Sequence, residues 1–137
     1  MINLGSKRKV LIVDDEEKFT RFLKLNFHHT GQYTAEVVND AANAISAADR
    51  FSPDVILLDV MMPGMDGGEV ASRLHATEKF KNTPILFLTA AIKKQEVTAR
   101  HGVVGGIRFL AKPIEFQDVL DEIEKECQEC RTKHVEQ

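Results

Sequence analysis

Two patterns of apolar residues alternate along this chain. Short runs such as Val10-Leu11-Ile12-Val13, Val55-Ile56-Leu57-Leu58 and Ile85-Leu86-Phe87-Leu88 show no polar alternation, as strands covered on both faces do. They are too short and too rich in β-branched residues to favour buried helices. Between them, apolar residues recur at helical spacing. Phe19, Phe22, Leu23 and Phe27 fall on one face of a first predicted helix, which Thr30-Gly31 closes, glycine being the usual left-handed C-terminal cap. Tyr33 to Val38 is a more polar strand, expected near an edge. Asn39-Asp40 then supplies an N-cap to an alanine-rich helix with Ala41, Ala44, Ile45 and Ala48 inward, broken at Ser52-Pro53.

The run 55–58 ends at an acid, Asp59, and a Pro63-Gly64 turn signal comes soon after. Asp66 and Glu69 have capping-box spacing, and Val70, Ala71 and Leu74 form the stripe of a third helix. Pro84 to Leu88 reads as a fourth strand ending at Thr89. A polar helix is expected from about Lys93 to Val103, closed by Gly105 and Gly106. Ile107 to Ala111 is the fifth strand, ending at Lys112-Pro113. A last helix starts near Glu115 with Phe116, Val119, Leu120, Ile123 and Cys127 on one stripe, and its final half-dozen residues are expected to fray. Strands alternating with helices predict an α/β fold, a doubly wound five-stranded parallel sheet, because parallel strands need long, right-handed crossovers. The chain, 1–137, reads as a single domain with a core over about 7–130 and a tail over 131–137.

Composition narrows the function without naming it. A chain of 137 residues with 43% hydrophobic residues can build its own core. The formal net charge of -3 and the lack of a dominant basic run argue against direct nucleic-acid binding. Lys7-Arg8-Lys9 is expected to be a solvated lead-in to the first strand. No apolar stretch approaches the ~18–20 residues of a membrane span, and the N-terminus lacks a secretory h-region. Two cysteines make no disulfide scaffold, so a cytoplasmic location is expected.

The chemistry lies in where the polar residues fall. Asp14 and Asp15, Asp59, Thr89 and Lys112 each stand at the carboxyl end of a predicted strand. In a parallel sheet those ends share one edge, where open α/β sheets form their binding crevice. Asp59 alone reads equally well as a strand-end cap; five convergent polar groups favour a site. Clustered carboxylates repel one another unless a cation sits among them, and a hard, oxygen-rich site suits Mg²⁺. Such a cation would also neutralise an incoming phosphoryl group. Lys112 and Thr89 are placed to hold phosphoryl oxygens while Asp59 attacks as nucleophile, giving an acyl phosphate.

These motifs, in their order and spacing, resemble the receiver domain of two-component response regulators (the CheY-like superfamily). The resemblance covers about residues 7–130 and rests on Asp14-Asp15, on Asp59 with Met61-Met62-Pro63-Gly64-Met65-Asp66-Gly67, on Thr89-Ala90 and on Lys112-Pro113. It implies a flavodoxin-like fold of strand order 2-1-3-4-5. It also implies that Asp59 accepts a phosphoryl group from a sensor histidine kinase or phosphotransfer protein. Asp14, Asp15, Asp59 and the backbone carbonyl of Met61 would hold Mg²⁺. Lys112 would contact the phosphoryl group and Thr89 would move to bind it. Phe109 matches the aromatic switch position, though it reads as well as a core-filling strand residue. The Lys112-Pro113 bond is usually cis in the family. The responding surface would be the fourth helix, the fifth strand and the last helix, which is also a candidate homodimer face. The turn Val103-Val104-Gly105-Gly106 departs from the family's usual Gly-Ala-Asp-Asp-like pattern.

Other readings remain beside this one. A phosphohydrolase with an aspartate nucleophile, of the haloacid-dehalogenase type, would carry an acid two residues after Asp59. Here that residue is Met61, and Ala91, two after Thr89, is equally inert. A lasting phospho-aspartate with slow self-dephosphorylation is therefore expected, a switch rather than an enzyme. A phosphorylation-independent interaction module has no use for clustered acids. Cys127 and Cys130, with His134 beyond, extend the apolar stripe of the last helix more readily than they form a metal or redox site. Met61, Met62 and Met65 read as loop filling rather than a partner surface. No output domain comes after residue 137, so the sequence is expected to be a stand-alone regulator or a receiver cut from a larger protein. Its downstream target is not legible.

Overall fold

A computed structural model describes residues 7–64, 67–89, 103–104 and 107–136, the side chains of 103–104, 107–108 and 128–136 excepted. The elements are β1 (Arg8–Val13), α1 (Glu17–Thr30), β2 (Tyr33–Val38), a 3₁₀ turn (Ala41–Asn43), α2 (Ala44–Phe51), β3 (Val55–Asp59), α3 (Gly67–His75), β4 (Ile85–Thr89), β5 (Val103–Val104), β6 (Ile107–Ala111) and α4 (Phe116–Glu136). The sheet order is β2-β1-β3-β4-β6-β5. The first five of these strands pair in parallel, in the order expected, and the two-residue β5 adds an antiparallel edge to β6.

The uninterrupted apolar runs have the two-sided burial they predict. Along β1, Leu11 and Val13 face one core and Val10 and Ile12 the other; β3 and β4 alternate in the same way. The first core is closed by Ala44, Ala47 and Ala48 of α2 and Val70, Ala71 and Leu74 of α3. The second is closed by Leu23 and Phe27 of α1 and Val119 and Ile123 of α4. Burying each large aliphatic side chain is worth about 1.5–3 kcal/mol, so these strand centres anchor the sheet and leave its ends free for polar residues. Helix ends follow local chemistry. Gly31 caps α1 at φ 74°, and Asp40 accepts a hydrogen bond from the Ala42 amide at the start of the 3₁₀ turn.

Several expectations need correction. Phe22 is 45% exposed. The buried arc of α1 runs through Leu23, Phe27 and Thr20, and Phe22 lies about 100° of helical rotation away from Leu23. The basic triplet is not simply solvated. Strand β1 begins at Arg8, whose Nη1 lies 2.6 Å from Glu124 Oε1, and Lys9 Nζ donates to the Phe51 carbonyl at 3.2 Å. The long stems of these residues cover apolar surface while their heads find partners. Val103 is a strand residue rather than a helix end, because its backbone pairs with Arg108. The rest of the helix predicted from Lys93 lies outside the described residues, as do Asp66 of the predicted capping box and Met65. The backbone of α4 stays helical through Glu136, so the frayed tail is not observed.

Gly67 opens α3 directly beside the end of β3. A Cβ there would overlap the Asp59 carbonyl oxygen and lie 2.8 Å from Val60 Cα, while the Gly67 amide already donates to the Val60 carbonyl at 2.8 Å. Backbone on both sides leaves nothing flexible to give way. Gly67→Ala is expected to cost at least about 1–3 kcal/mol, read as a lower urea midpoint; a midpoint equal to wild type would contradict this packing.

Candidate functional site

Asp14, Asp15, Asp59, Thr89 and Lys112 are delivered by strand ends, whereas Met61 lies in the loop after Asp59 and Phe109 within a strand. β1 stops at Val13, so Asp14 and Asp15 come next, at the carboxyl edge; β3 ends on Asp59, β4 on Thr89, and Lys112 comes directly after β6. Asp59 is in register with Leu88, one residue before Thr89, and Thr89 with Ala111, one residue before Lys112. Register alone therefore sets these side chains along one rim.

The side chains meet there. One carboxylate oxygen from each of Asp14, Asp15 and Asp59 lies within 4.8 Å of the others. Lys112 Nζ is 2.7 Å from Asp14 Oδ2 and 3.9 Å from Asp59 Oδ2. Asp14, Asp59 and Thr89 are buried, Asp15 is exposed, and the Lys112 side chain is 11% exposed. The Lys112 amide donates to the Thr89 carbonyl at 2.9 Å, and the Lys112-Pro113 bond is cis. On the other side of Asp59, its Oδ1 accepts the Met61 amide at 3.2 Å.

Among the described residues, two buried carboxylates and one ammonium leave the charges unevenly matched. Burial is the main reason that the Asp59 carboxyl is pushed up to about 6, and the Asp14 charge adds to it. The Met61 amide and the Lys112 ammonium pull the other way. For Lys112, desolvation lowers the affinity for its proton, but the contacts with Asp14 and Glu16 outweigh it and leave the ammonium above its ordinary range. Asp14 Oδ2 is buried, and its partner among the described residues is the Lys112 ammonium at 2.7 Å. A buried carboxylate with two further acids within 4.8 Å and one ammonium among them fits a hard divalent cation with oxygen ligands.

Sequence reasoning missed three contributors. Glu16 Oε1 accepts a hydrogen bond from Lys112 Nζ at 3.1 Å. The Phe19 ring lies 4.8 Å from the same nitrogen. Asn39, read as a helix cap, donates to the Asp14 carbonyl at 2.8 Å and to Thr20 Oγ1 at 3.0 Å. Adjacency to Asp14-Asp15 was the only available signal for Glu16.

The family model of the response regulator receiver domain matches residues 10–124. The chain belongs to this family. Among curated relatives, the receiver is 34% identical over 117 residues to transcriptional regulatory protein TrcR of Mycobacterium tuberculosis, covering 85% of this chain and 44% of that one. It is 35% identical to the alkaline phosphatase synthesis transcriptional regulatory protein PhoP of Bacillus subtilis, covering 82% of this chain and 45% of that one. The chain thus spans about half the length of the curated relatives it matches. Among solved structures, it resembles chemotaxis protein CheY4 of Vibrio cholerae, with TM-score 0.73 and 31% identity over 88% of this chain and 98% of that one. The receiver domain of a Francisella response regulator gives TM-score 0.73 at 26% identity, covering 90% and 99%.

This receiver domain places its remaining candidates more variously. Phe109 is half-buried against the first core, its ring centroid 5.4 Å from that of Phe87. Met62 fills that core, whereas Met61 is 65% exposed beside Asp59. Cys127 packs against the second core; the side chains of Cys130 and His134 lie outside the described residues. No helix among the described residues is long and apolar enough to cross a membrane.

The raised Asp59 carboxyl makes stability depend on pH. The folded state holds the proton up to about 6 and the unfolded chain releases it near 3.8. The protonated acid therefore favours folding at low pH, and this contribution is lost as pH rises through 6. Without divalent cations, Asp59→Asn is expected to stabilise the fold by on the order of 1–3 kcal/mol at pH 7.5 and by little at pH 4, read from urea unfolding at both values. Equal stabilisation at both would contradict the shift.

Proposed function

We propose that Asp59 is the phosphoacceptor of this receiver, and that its phosphorylation is the signal that the domain carries. The supporting observation is the convergence of Lys112 Nζ on Asp14 and Asp59 at 2.7 and 3.9 Å, in the pocket where three acids lie within 4.8 Å of one another. Asp14, Asp15 and Asp59, with the backbone carbonyl of Met61, would hold Mg²⁺. When bound, the cation supplies charge neutralisation for the acids and for the incoming phosphoryl oxygens.

The chain's own residues do the rest. An Asp59 carboxylate oxygen attacks phosphorus as the P–N bond of a kinase phosphohistidine breaks, the nitrogen keeping the electron pair. The product is an acyl phosphate on Asp59. The Met61 amide, already bonded to Oδ1, orients the carboxylate. Lys112 neutralises one phosphoryl oxygen and Thr89 donates its hydroxyl to another. Each charge-assisted bond is worth roughly 1.5–3 kcal/mol, and about 5.5 kcal/mol carries a two-state equilibrium from 1:99 to 99:1. Two or three such contacts suffice. Thr89 shares one face of β4 with Phe87, on which Phe109 stacks, so a shift of Thr89 has a packed route to the Phe109 switch position.

The domain acts as a switch rather than an enzyme, since Met61 offers no proton-transfer group beside Asp59. Its donor is a sensor histidine kinase or phosphotransfer protein, in the cytoplasm. Its output is regulatory, as the names of its transcriptional relatives suggest, and is read from the surface of the Lys93–Val103 segment, β6 and α4, which is also the candidate face for a homodimer. Incubation with Mg²⁺ and a small acyl phosphate, followed by intact mass, is expected to show one phosphate on wild type and none on Asp59→Asn or after chelation. Phosphate retained by Asp59→Asn would overturn the assignment. The phosphoprotein is expected to persist for minutes or longer; loss within seconds would contradict the role given to Met61.

A further inference from the structure

Lys112 has more partners than the phosphorylation reading uses. Its ammonium carries three donors. Asp14 Oδ2 stands 2.7 Å away, Glu16 Oε1 accepts a hydrogen bond at 3.1 Å, and Asp59 Oδ2 lies at 3.9 Å, beyond hydrogen-bond reach. The Phe19 ring, packed against the second core, flanks the same nitrogen at 4.8 Å, which confines the head group to the gap between α1 and Asp59. We propose that Glu16 is a positioning residue that holds the Lys112 ammonium towards α1 and competes with the Asp59 phosphoryl group for it. The inference rests on the phosphoacceptor reading of Asp59.

The geometry separates this role from a structural one. Glu16 is the N-cap residue of α1 but makes no side-chain cap bond. Its amide donates to Asp14 Oδ1 at 2.9 Å, a contact that any residue at this position keeps. The carboxylate is therefore turned to Lys112 rather than to the helix. Its side chain is 61% exposed, and an exposed ion pair contributes about 0.2–1 kcal/mol. This sets the expected size of the restraint at roughly 1.5- to 5-fold in rate. When a cation occupies the acids, Asp14 is engaged elsewhere and Glu16 becomes the main competitor for the ammonium.

The test compares Glu16→Gln with Glu17→Gln, which removes the same charge one residue along, on a side chain outside the Lys112 contacts. At saturating Mg²⁺ with a small acyl phosphate, Glu16→Gln is expected to phosphorylate roughly 1.5- to 5-fold faster than wild type, with Glu17→Gln at the wild-type rate. In the unphosphorylated protein, the Lys112 ¹⁵Nζ resonance is expected to move in Glu16→Gln and to stay in Glu17→Gln, a readout that helix capping would not affect. An unchanged or slower rate in Glu16→Gln, an equal gain in both variants, or an unmoved Nζ resonance would overturn the inference while leaving Asp59 as acceptor. No phosphate on wild type would remove both.

Discussion

Among the described residues, two carboxylates, Asp14 and Asp59, are buried at one end of the sheet with a single ammonium, Lys112, between them. The constraint this sets is electrostatic. Like charges about 4 Å apart cost on the order of 4 kcal/mol at an effective dielectric of ~20, and one lysine cannot satisfy both acids and Glu16 at once. Among the described residues the pocket is therefore short of positive charge, and the proton-retaining Asp59 is an expression of that shortage. A chain selected for stability alone would hold apolar residues or a matched pair here.

The fold bears this cost because its stability lies elsewhere. Both faces of β1, β3 and β4 are sealed by helices, and the strand centres are fully buried. The polar residues are confined to the positions at which each strand stops, where the crevice opens. Close backbone packing at Gly67 fixes the end of β3. Asn39 secures the Asp14 carbonyl, and the Lys112 amide ties the ends of β4 and β6 through the Thr89 carbonyl. The backbone that carries Asp14, Asp59 and Lys112 is thus tied in place.

Much of this was legible in the sequence because strands buried on both faces leave a run of apolar residues, and because the polar residues of the pocket stand at or next to the strand ends. Asp14, Asp15, Asp59 and Thr89 stand where such a run gives out, and Lys112 comes directly after the strand 107–111, which Arg108 interrupts. The features that escaped depend on three-dimensional neighbours. The exposure of Phe22 reflects where the buried arc of α1 is centred, which the spacing of three phenylalanines and a leucine left ambiguous. The engagement of Arg8 depends on Glu124, far away in the chain. The pairing of Val103 with Arg108 escaped because the glycines at 105 and 106 read in composition as a helix end. Glu16 and Phe19 lie far from Lys112 in the chain, and no local pattern announces a contact of that kind.

If the shortage of positive charge defines the pocket, a divalent cation must bind the folded chain and stabilise it through the same acids. Thermal unfolding of wild type and of Asp14→Asn, each with and without saturating Mg²⁺, measures this directly. The account predicts a clear rise in the wild-type midpoint with Mg²⁺ and little or none for Asp14→Asn. A wild-type midpoint unmoved by Mg²⁺, or an equal rise in both proteins, would contradict it.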